Sequence, residues 1–255
     1  MKILLTNDDG IYSEGLWALY NQFSERHSVT VVAPDRERSA VGHGITLYEP
    51  LRASRVEVSG CLGYAVNGTP ADCIKIGFME LLDAVPDLVV SGINPSANVG
   101  VNINYSGTVA AAKEAALYRV PAIAASIQGN LKNTYEDAAF FILTLAEDVI
   151  EKGLPFGTIL NVNIPDVPMD AIEGVRISRQ GNELYNEFMD KRIDPRNRTY
   201  YWHGFESRIS FNHPDIDGAA LEENCISITP IKCDMTDYTV LEDLKTWNIG
   251  VKGEK

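Results

Sequence analysis

The chain has 255 residues, 45% of them hydrophobic, enough for one large α/β domain with a sizeable core and too apolar for a disordered segment. Its formal net charge of −13 excludes a protein that grips nucleic acid along a basic face. It does not exclude a single nucleotide, because a metal and a few backbone amides can hold one phosphate; otherwise the acidity is plain solubility.

Residues 2–6 form a short apolar strand that stops at Asn7-Asp8-Asp9-Gly10. Leu16, Leu19, Tyr20 and Phe23 follow with helical spacing, and Ser13 is placed as the N-cap. Residues 29–33 read as a second buried strand, closed by Pro34-Asp35. Residues 45–51 and 55–58 suggest a hairpin, with a further strand at 64–66. Thr69-Pro70-Ala71-Asp72 then gives an N-cap, a proline at N1 and a short-armed capping box. The helix it opens puts Ile74, Phe78, Leu81 and Leu82 on one side, and Pro86 breaks it.

Residues 87–93 are another buried strand, followed by a Gly/Asn-rich loop over 94–105. Ser106-Gly107-Thr108 opens an alanine-rich helix running to about Tyr118. A strand at 121–127, a long helix capped within 134–137 and a strand at 160–164 complete the alternation. Strands each followed by a helix imply a mainly parallel sheet with helices on both faces. After residue 166 the pattern changes. Strands are expected at 175–178, 199–202 and 225–231, and a last helix at 240–247, ended by Gly250. Residues 182–218 are polar and irregular, with three adjacent aromatics at Tyr200-Tyr201-Trp202.

Cys61, Cys73, Cys225 and Cys233 form no CxxC pair, and no secretory signal opens the sequence, so reduced thiols in the cytoplasm are expected. No apolar run reaches the roughly 20 residues that span a bilayer. Soft and imidazole ligands are too scarce for zinc.

In open parallel sheets, ligands bind beyond the carboxyl ends of the strands. Asp8 and Asp9 stand after the first strand, Asp35, Arg36, Arg38 and Ser39 after the second, and Asn94 and Asn98 after the strand ending at Ile93. Adjacent carboxylates with neutral oxygens suit a hard cation such as Mg²⁺. The plain alternative is that Asp8-Asp9-Gly10 is only a turn, and on that tetrapeptide alone the turn is favoured. Free amides and the helix dipole at Ser106-Gly107-Thr108 favour an anion, against the alternative of an ordinary Ser/Thr cap. A dinucleotide site would need G-x-G-x-x-G after the first strand, and Gly10 and Gly15 have the wrong spacing. A haloacid-dehalogenase arrangement needs two aspartates one residue apart, whereas Asp8 and Asp9 are adjacent.

Taken together, NDDG at 7–10, APDRERS at 33–39, GTPADC at 68–73, VVSGIN at 89–94, YSGTVAAAKEA at 105–115, NVNIP at 161–165 and SITP at 227–230 resemble the SurE-type survival proteins, a family of 5′-nucleotidases. Each motif is modest, but their order and spread over nearly the whole chain are specific.

The resemblance implies a Rossmann-like, doubly wound, mainly parallel sheet in three α/β/α layers. It implies one domain over 1–255, with a core of about 1–166 and a protruding C-terminal region of about 167–255 that serves homodimer or homotetramer formation. It implies hydrolysis of nucleoside 5′- or 3′-monophosphates, with short polyphosphate as a further substrate. One divalent ion, Mg²⁺ or Mn²⁺, would be held by Asp8, Asp9, Ser39 and Asn94, and phosphate by Asn98, Ser106, Gly107 and Thr108.

Either Asp8 or Asp9 would take the proton of an attacking water; direct attack by an aspartate stays open. His43, in the loop after Ser39, is a candidate acid for the leaving oxygen, against the plainer reading of a solvated loop histidine. The aromatic run at 200–202 would contact a neighbouring subunit or pack locally. This sequence departs from the family at Ala40, Pro95-Ser96 and Ala115, where glycine is frequent at or near these positions. Two rival classes are a nucleotide sensor that binds without turnover and a nicotinamide-dependent oxidoreductase.

Overall fold

The structure, a computed structural model, describes residues 1–129, 135–182, 187–205, 211 and 213–249, apart from the side chains of Glu187 and Phe205. Its strands are β1 (Lys2–Thr6), β2 (Ser28–Pro34), β3 (Ala53–Val58), β4 (Cys61–Val66), β5 (Leu88–Asn94), β6 (Ala122–Ile127), β7 (Thr158–Ile164), β8 (Gly174–Ile177), β9 (Glu187–Ile193), β10 (Thr199–Phe205) and β11 (Cys225–Lys232). Its α-helices are α1 (Glu14–Ser24), α2 (Pro70–Ile76), α3 (Gly107–Leu117), α4 (Tyr135–Lys152), α5 (Asp217–Glu222) and α6 (Tyr238–Leu244).

Nine strands form one sheet in the order β3-β4-β2-β1-β5-β6-β7-β11-β8. Pairing is parallel from β4 through β7, while β3 on β4 and β11 on β7 are antiparallel. Every residue of β5 and β6 is buried, as expected where helices cover both faces. On one face Leu5, Val90 and Ile123 pack with Leu16, Leu19 and Phe23 of α1 and Ile142 of α4. On the other, Leu4, Val32 and Val89 pack with Ile74 of α2 and with Val109, Ala112 and Ala116 of α3. The chain moves outward from β1 through β2 to β4 and then crosses back to β5 on the far side of β1. That reversal makes the ends of β1 and β5 the topological switch point, where such sheets open a crevice.

The expected elements of the first 165 residues are present, with three differences. Residues 45–51 are not a strand; the hairpin is β3–β4, closed at Ser59 and Gly60, whose φ angles of 52° and 83° match a two-residue type I′ turn. Ser13 holds the N-cap position of α1, but its Oγ accepts from Asn7 Nδ2 at 2.5 Å and does not cap the helix. The second helix begins with the expected capping box between Thr69 and Asp72, then widens into a π turn over Gly77–Leu81 before Pro86.

The sheet also continues past residue 166, since β11 and β8 extend it beyond β7. Two elements had no clear sequence signal. One is β9, which pairs with β10 as a separate two-stranded ribbon; the other is the short helix α5. The Thr134 cap and the Gly250 stop lie outside the described residues.

Asp217, at the start of α5, is buried and accepts N–H bonds from Gly100 at 2.8 Å, Gly181 at 3.1 Å and Gly218 at 2.9 Å. Gln180 Nε2 donates to Gly100 O at 2.8 Å. The loop after β5 is thereby fastened to the C-terminal third of the chain. Burial pushes the Asp217 carboxyl up, and the three amides offset part of that shift.

Candidate active site

Asn7 builds the turn after β1. Its Nδ2 donates to Gly10 O at 3.0 Å, and its Oδ1 accepts from Gly10 N at 3.2 Å. Gly10 has a φ of 101°, which favours glycine, and a Cβ there would come 3.0 Å from the Arg36 backbone. The segment is a turn, and it also presents two carboxylates at the switch point, so the two readings of the tetrapeptide are compatible.

Asp8 is buried at 4% exposure, and Thr108 Oγ1 donates to its Oδ1 at 2.6 Å. Burial pushes its carboxyl up, opposed by the Thr108 hydroxyl and by the amides of Thr108 and Gly107. Asp9 is pushed up to about 7, first by burial and then by the charges of Asp8 and Glu37. Its Oδ2 is buried with no hydrogen-bond partner. A carboxylate oxygen in that condition is costly unless a cation or proton satisfies it.

The loop after β2 docks on this turn, with Arg38 N donating to Asp8 O at 2.7 Å and Arg38 Nη2 to Asn67 O at 2.7 Å. It brings in Ser39, whose Oγ donates to Glu37 Oε1 at 2.7 Å. Ala40 follows in the left-handed region at φ 56°.

At the end of β5, the register against β6 slips between Ser91 and Asn94, a β-bulge of the kind that re-aims side chains beside active sites. Asn94 Nδ2 donates to Ser96 O, so its Oδ1 is the side-chain oxygen that a cation could use. Asn98 is held from four directions: its N donates to Asn163 Oδ1 at 2.7 Å and its Nδ2 to Ser126 Oγ at 2.9 Å. Its carbonyl accepts from Asn161 at 2.8 Å and Asn163 at 3.2 Å. Ser106 caps α3 by accepting from Val109 N at 3.1 Å.

These residues open on one cavity of about 540 Å³. Asp8, Asp9, Ser39, Asn94, Asn98 and Ser106 all line it, so the structure brings together six of the residues singled out from the sequence. Gly107 and Thr108 do not line it. Both face Asp8, and a Cβ on Gly107 would meet Asp8 Cβ at 2.7 Å.

His43 is neither on the cavity nor simply solvated. Its Nε2 pairs with Glu114 Oε2 at 2.7 Å, while Lys75 Nζ holds Glu114 Oε1 at 2.8 Å. Burial alone would raise the Glu114 carboxyl, but these two partners hold it below its ordinary value. Sequence reasoning missed Glu37, Tyr105 and His203, which also line the cavity. The first two lie inside quoted motifs, and His203 directly follows the aromatic run.

Among the described residues, no group of three or more His, Cys, Asp and Glu side chains gathers to hold a metal. The set here is instead two carboxylates with a serine and an asparagine oxygen, the ligand chemistry of a hard cation. The unpartnered Asp9 oxygen fits such a group. Among the same residues, no helix is long and apolar enough to cross a membrane.

Comparison with known proteins follows this geometry. The family model described as "Survival protein SurE" matches residues 3–187. A "5′-nucleotidase SurE" of Desulfatibacillum aliphaticivorans is 57% identical over 250 residues, covering 98% of this chain and 99% of its own length. Another from Syntrophobacter fumaroxidans is 47% identical over 250 residues, covering 98% of this chain and 100% of its own. The crystal structure of the SurE protein from Aquifex aeolicus superposes with a TM-score of 0.84 at 38% identity, covering 96% of this chain and 98% of that one. With matches of this extent on sequence and on fold, the chain belongs to the SurE survival-protein family.

Proposed function

We propose that the chain is a divalent-cation-dependent phosphatase that hydrolyses nucleoside 5′- and 3′-monophosphates to nucleoside and phosphate, with short polyphosphate as a side substrate. The relatives' printed name, 5′-nucleotidase, supports the reaction class. The observation that carries the reading is the buried, unpartnered Asp9 oxygen in a cavity that also holds Asp8, Ser39, Asn94 and Ser106.

In this reading Asp8, Asp9, Ser39 and Asn94 hold one Mg²⁺ or Mn²⁺. When bound, the ion supplies neutralisation of phosphate charge and Lewis acidity. Ser106 and Asn98 bind phosphate oxygens from the cavity wall. Gly107 and Thr108 support the phosphate site from behind, by fixing the Asp8 carboxylate with the first turn of α3. The dipole of that helix also favours the negative charge of the bound group.

Asp9 is the less committed carboxylate. It takes the proton as the water oxygen attacks phosphorus and the bond to the nucleoside oxygen breaks. Asp9 returns that proton to the departing oxygen, which leaves as the nucleoside hydroxyl. His43, committed to Glu114, is not assigned to that step. The exposed aromatics of the β9–β10 ribbon and the apolar side chains of α6 suit a homodimer or homotetramer; the 40%, 58% and 61% exposure of Tyr200, Tyr201 and Trp202 supports a subunit contact over local packing.

Phosphate release from AMP with Mg²⁺ or Mn²⁺ tests the reading. Asp9→Asn is expected to abolish turnover while keeping the circular dichroism spectrum. Full activity in that variant removes Asp9 from the mechanism, and an undiminished rate after exhaustive chelation removes the cation. AMP binding without phosphate release would favour the sensor instead.

A further inference from the structure

We infer that His203 and Tyr105 bracket the nucleobase of the substrate, so that the β9–β10 ribbon supplies the base subsite of the cavity. The inference rests on the nucleotidase reading and deepens it.

The volume of the cavity, about 540 Å³, is far more than a phosphate group fills and lies within the range that takes whole small ligands. Its lining includes two chemical sets. Asp8, Asp9, Ser39, Asn94, Asn98 and Ser106 are the oxygen-bearing set already assigned to cation and phosphate, with Glu37, Ser96 and Asn102 beside them. Ala40, Pro95 and Ala97 are apolar, and Tyr105 and His203 bring aromatic rings that the cation and phosphate assignment does not use. A nucleoside monophosphate has the same division, with an anionic end and a flat, weakly polar ring.

The two rings reach the cavity from separate parts of the chain. Tyr105 precedes the N-cap of α3, and its backbone is pinned by Gly42 N donating to its carbonyl at 2.9 Å and by its own N donating to Asn102 O at 3.0 Å. Its side chain is 58% exposed, so its ring face is available. His203 stands on β10 opposite Met189 of β9. Among the lining residues it alone comes from beyond residue 106.

Side chains alternate along a strand, so His203 shares one ribbon face with Tyr201, Met189 and Lys191, and Arg192 and Asp190 take the other. The pairing of Arg192 with Asp190 at 2.7 Å agrees with that division. An imidazole ring offers a π face for stacking, and aromatic stacking on nucleobases tolerates any base identity. The larger ring system of a purine gains more from two such walls than a pyrimidine does.

The experiment compares AMP with ribose 5-phosphate, the same ester without a base, under one divalent ion. The variants are His203→Ala, Tyr105→Ala, His203→Phe and, on the opposite ribbon face, Arg192→Ala. Gel filtration of each variant monitors assembly. Wild-type enzyme is expected to favour AMP. His203→Ala and Tyr105→Ala are each expected to lose about tenfold in kcat/KM for AMP, mainly through KM, with ribose 5-phosphate within about twofold of wild type. His203→Phe is expected to keep most of the AMP preference, and Arg192→Ala all of it.

Equal losses on both substrates, an unchanged KM for AMP in His203→Ala, or an equal loss of preference in Arg192→Ala overturns the bracket. So does a wild-type enzyme that hydrolyses both substrates equally well, an outcome that leaves the phosphatase reading standing. Release of phosphate from neither substrate overturns the nucleotidase reading, and the bracket with it.

Discussion

Thr108 Oγ1 lies 2.6 Å from Asp8 Oδ1, so the first turn of α3 holds in place a carboxylate that stands at the end of β1, a hundred residues earlier. Second-sphere hydrogen bonds of this kind orient ligands and tune their basicity. Thr108→Val keeps the shape and removes the donor. The expected result is a fall in Mn²⁺ affinity of about 10- to 100-fold, read by calorimetric titration, with the fold retained. An affinity equal to wild type would show that the hydroxyl has no part in setting the ligand.

Gly107 faces Asp8 so closely that an added methyl would lie 2.7 Å from its Cβ, 2.9 Å from its Oδ2 and 3.1 Å from Pro70 Cγ. Helix propensity alone favours alanine over glycine by about 1 kcal/mol in a helix interior. The clash wins here, because Asp8 and Pro70 are both buried. Gly107→Ala is expected to lower AMP turnover on the order of a hundredfold, since displacement of a reacting group by ~1 Å costs about that much. A variant that gains stability and keeps its rate would place Asp8 outside the reaction.

Asp9 carries a pH signature in the chelated protein. Its carboxyl is pushed up to about 7 from an ordinary 3.8, so in that window the folded state binds more protons than the unfolded state. Stability then falls as pH rises from 3.8 toward about 7, and the raised Asp8 carboxyl adds in the same direction. Thermal midpoints in EDTA should decline over that interval for wild type and decline less for Asp9→Asn. Saturating Mn²⁺ should reverse the slope, because the ion binds the ionised carboxylates. Parallel slopes for wild type and Asp9→Asn in EDTA would contradict the assignment.

Ala40 sits at φ 56°, a conformation that costs an L-residue roughly 1–2 kcal/mol. Glycine relieves this but loses about 0.5–1 kcal/mol more in conformational entropy on folding. Ala40→Gly is therefore expected to stabilise the chain by up to about 1 kcal/mol, seen as a higher urea midpoint with an unchanged slope. A lower midpoint would mean that the methyl makes packing contacts worth more than the strain.

Apart from the β3–β4 hairpin, the strands and helices through β7 were legible because each is a run of one periodicity closed by a strong stop, such as Asn7–Gly10 after β1 or Pro86 before β5. Six of the cavity-lining residues were legible for a related reason: strand ends at a switch point converge whatever the loops do. The β3–β4 hairpin was misplaced because its Ser59-Gly60 turn is weaker punctuation than the prolines and glycines around residues 45–51. The ribbon strand β9 lacks a period-two alternation, with Asp190, Lys191 and Arg192 in a row, and has one β-branched residue, so its partner β10 supplies most of the signal.

Gly107 and Thr108 were correctly placed at a helix start, but spacing does not say whether amides there meet a ligand or a neighbouring carboxylate. His43 illustrates the same limit. Its attachment to Glu114 depends on how the loop after β2 lies against α3, which no local pattern encodes.

The three amides gathered by Asp217 impose an order on assembly. A ribosome releases the acidic pair at positions 8 and 9 almost at once, and the loop at 94–106 well before the residue that fastens it. Until position 217 emerges, the nascent chain carries Asp8, Asp9, Ser39 and Asn94 yet lacks the buried carboxylate that fastens the loop after β5. That loop is thus fastened late in synthesis, after β1 and β5 have both emerged.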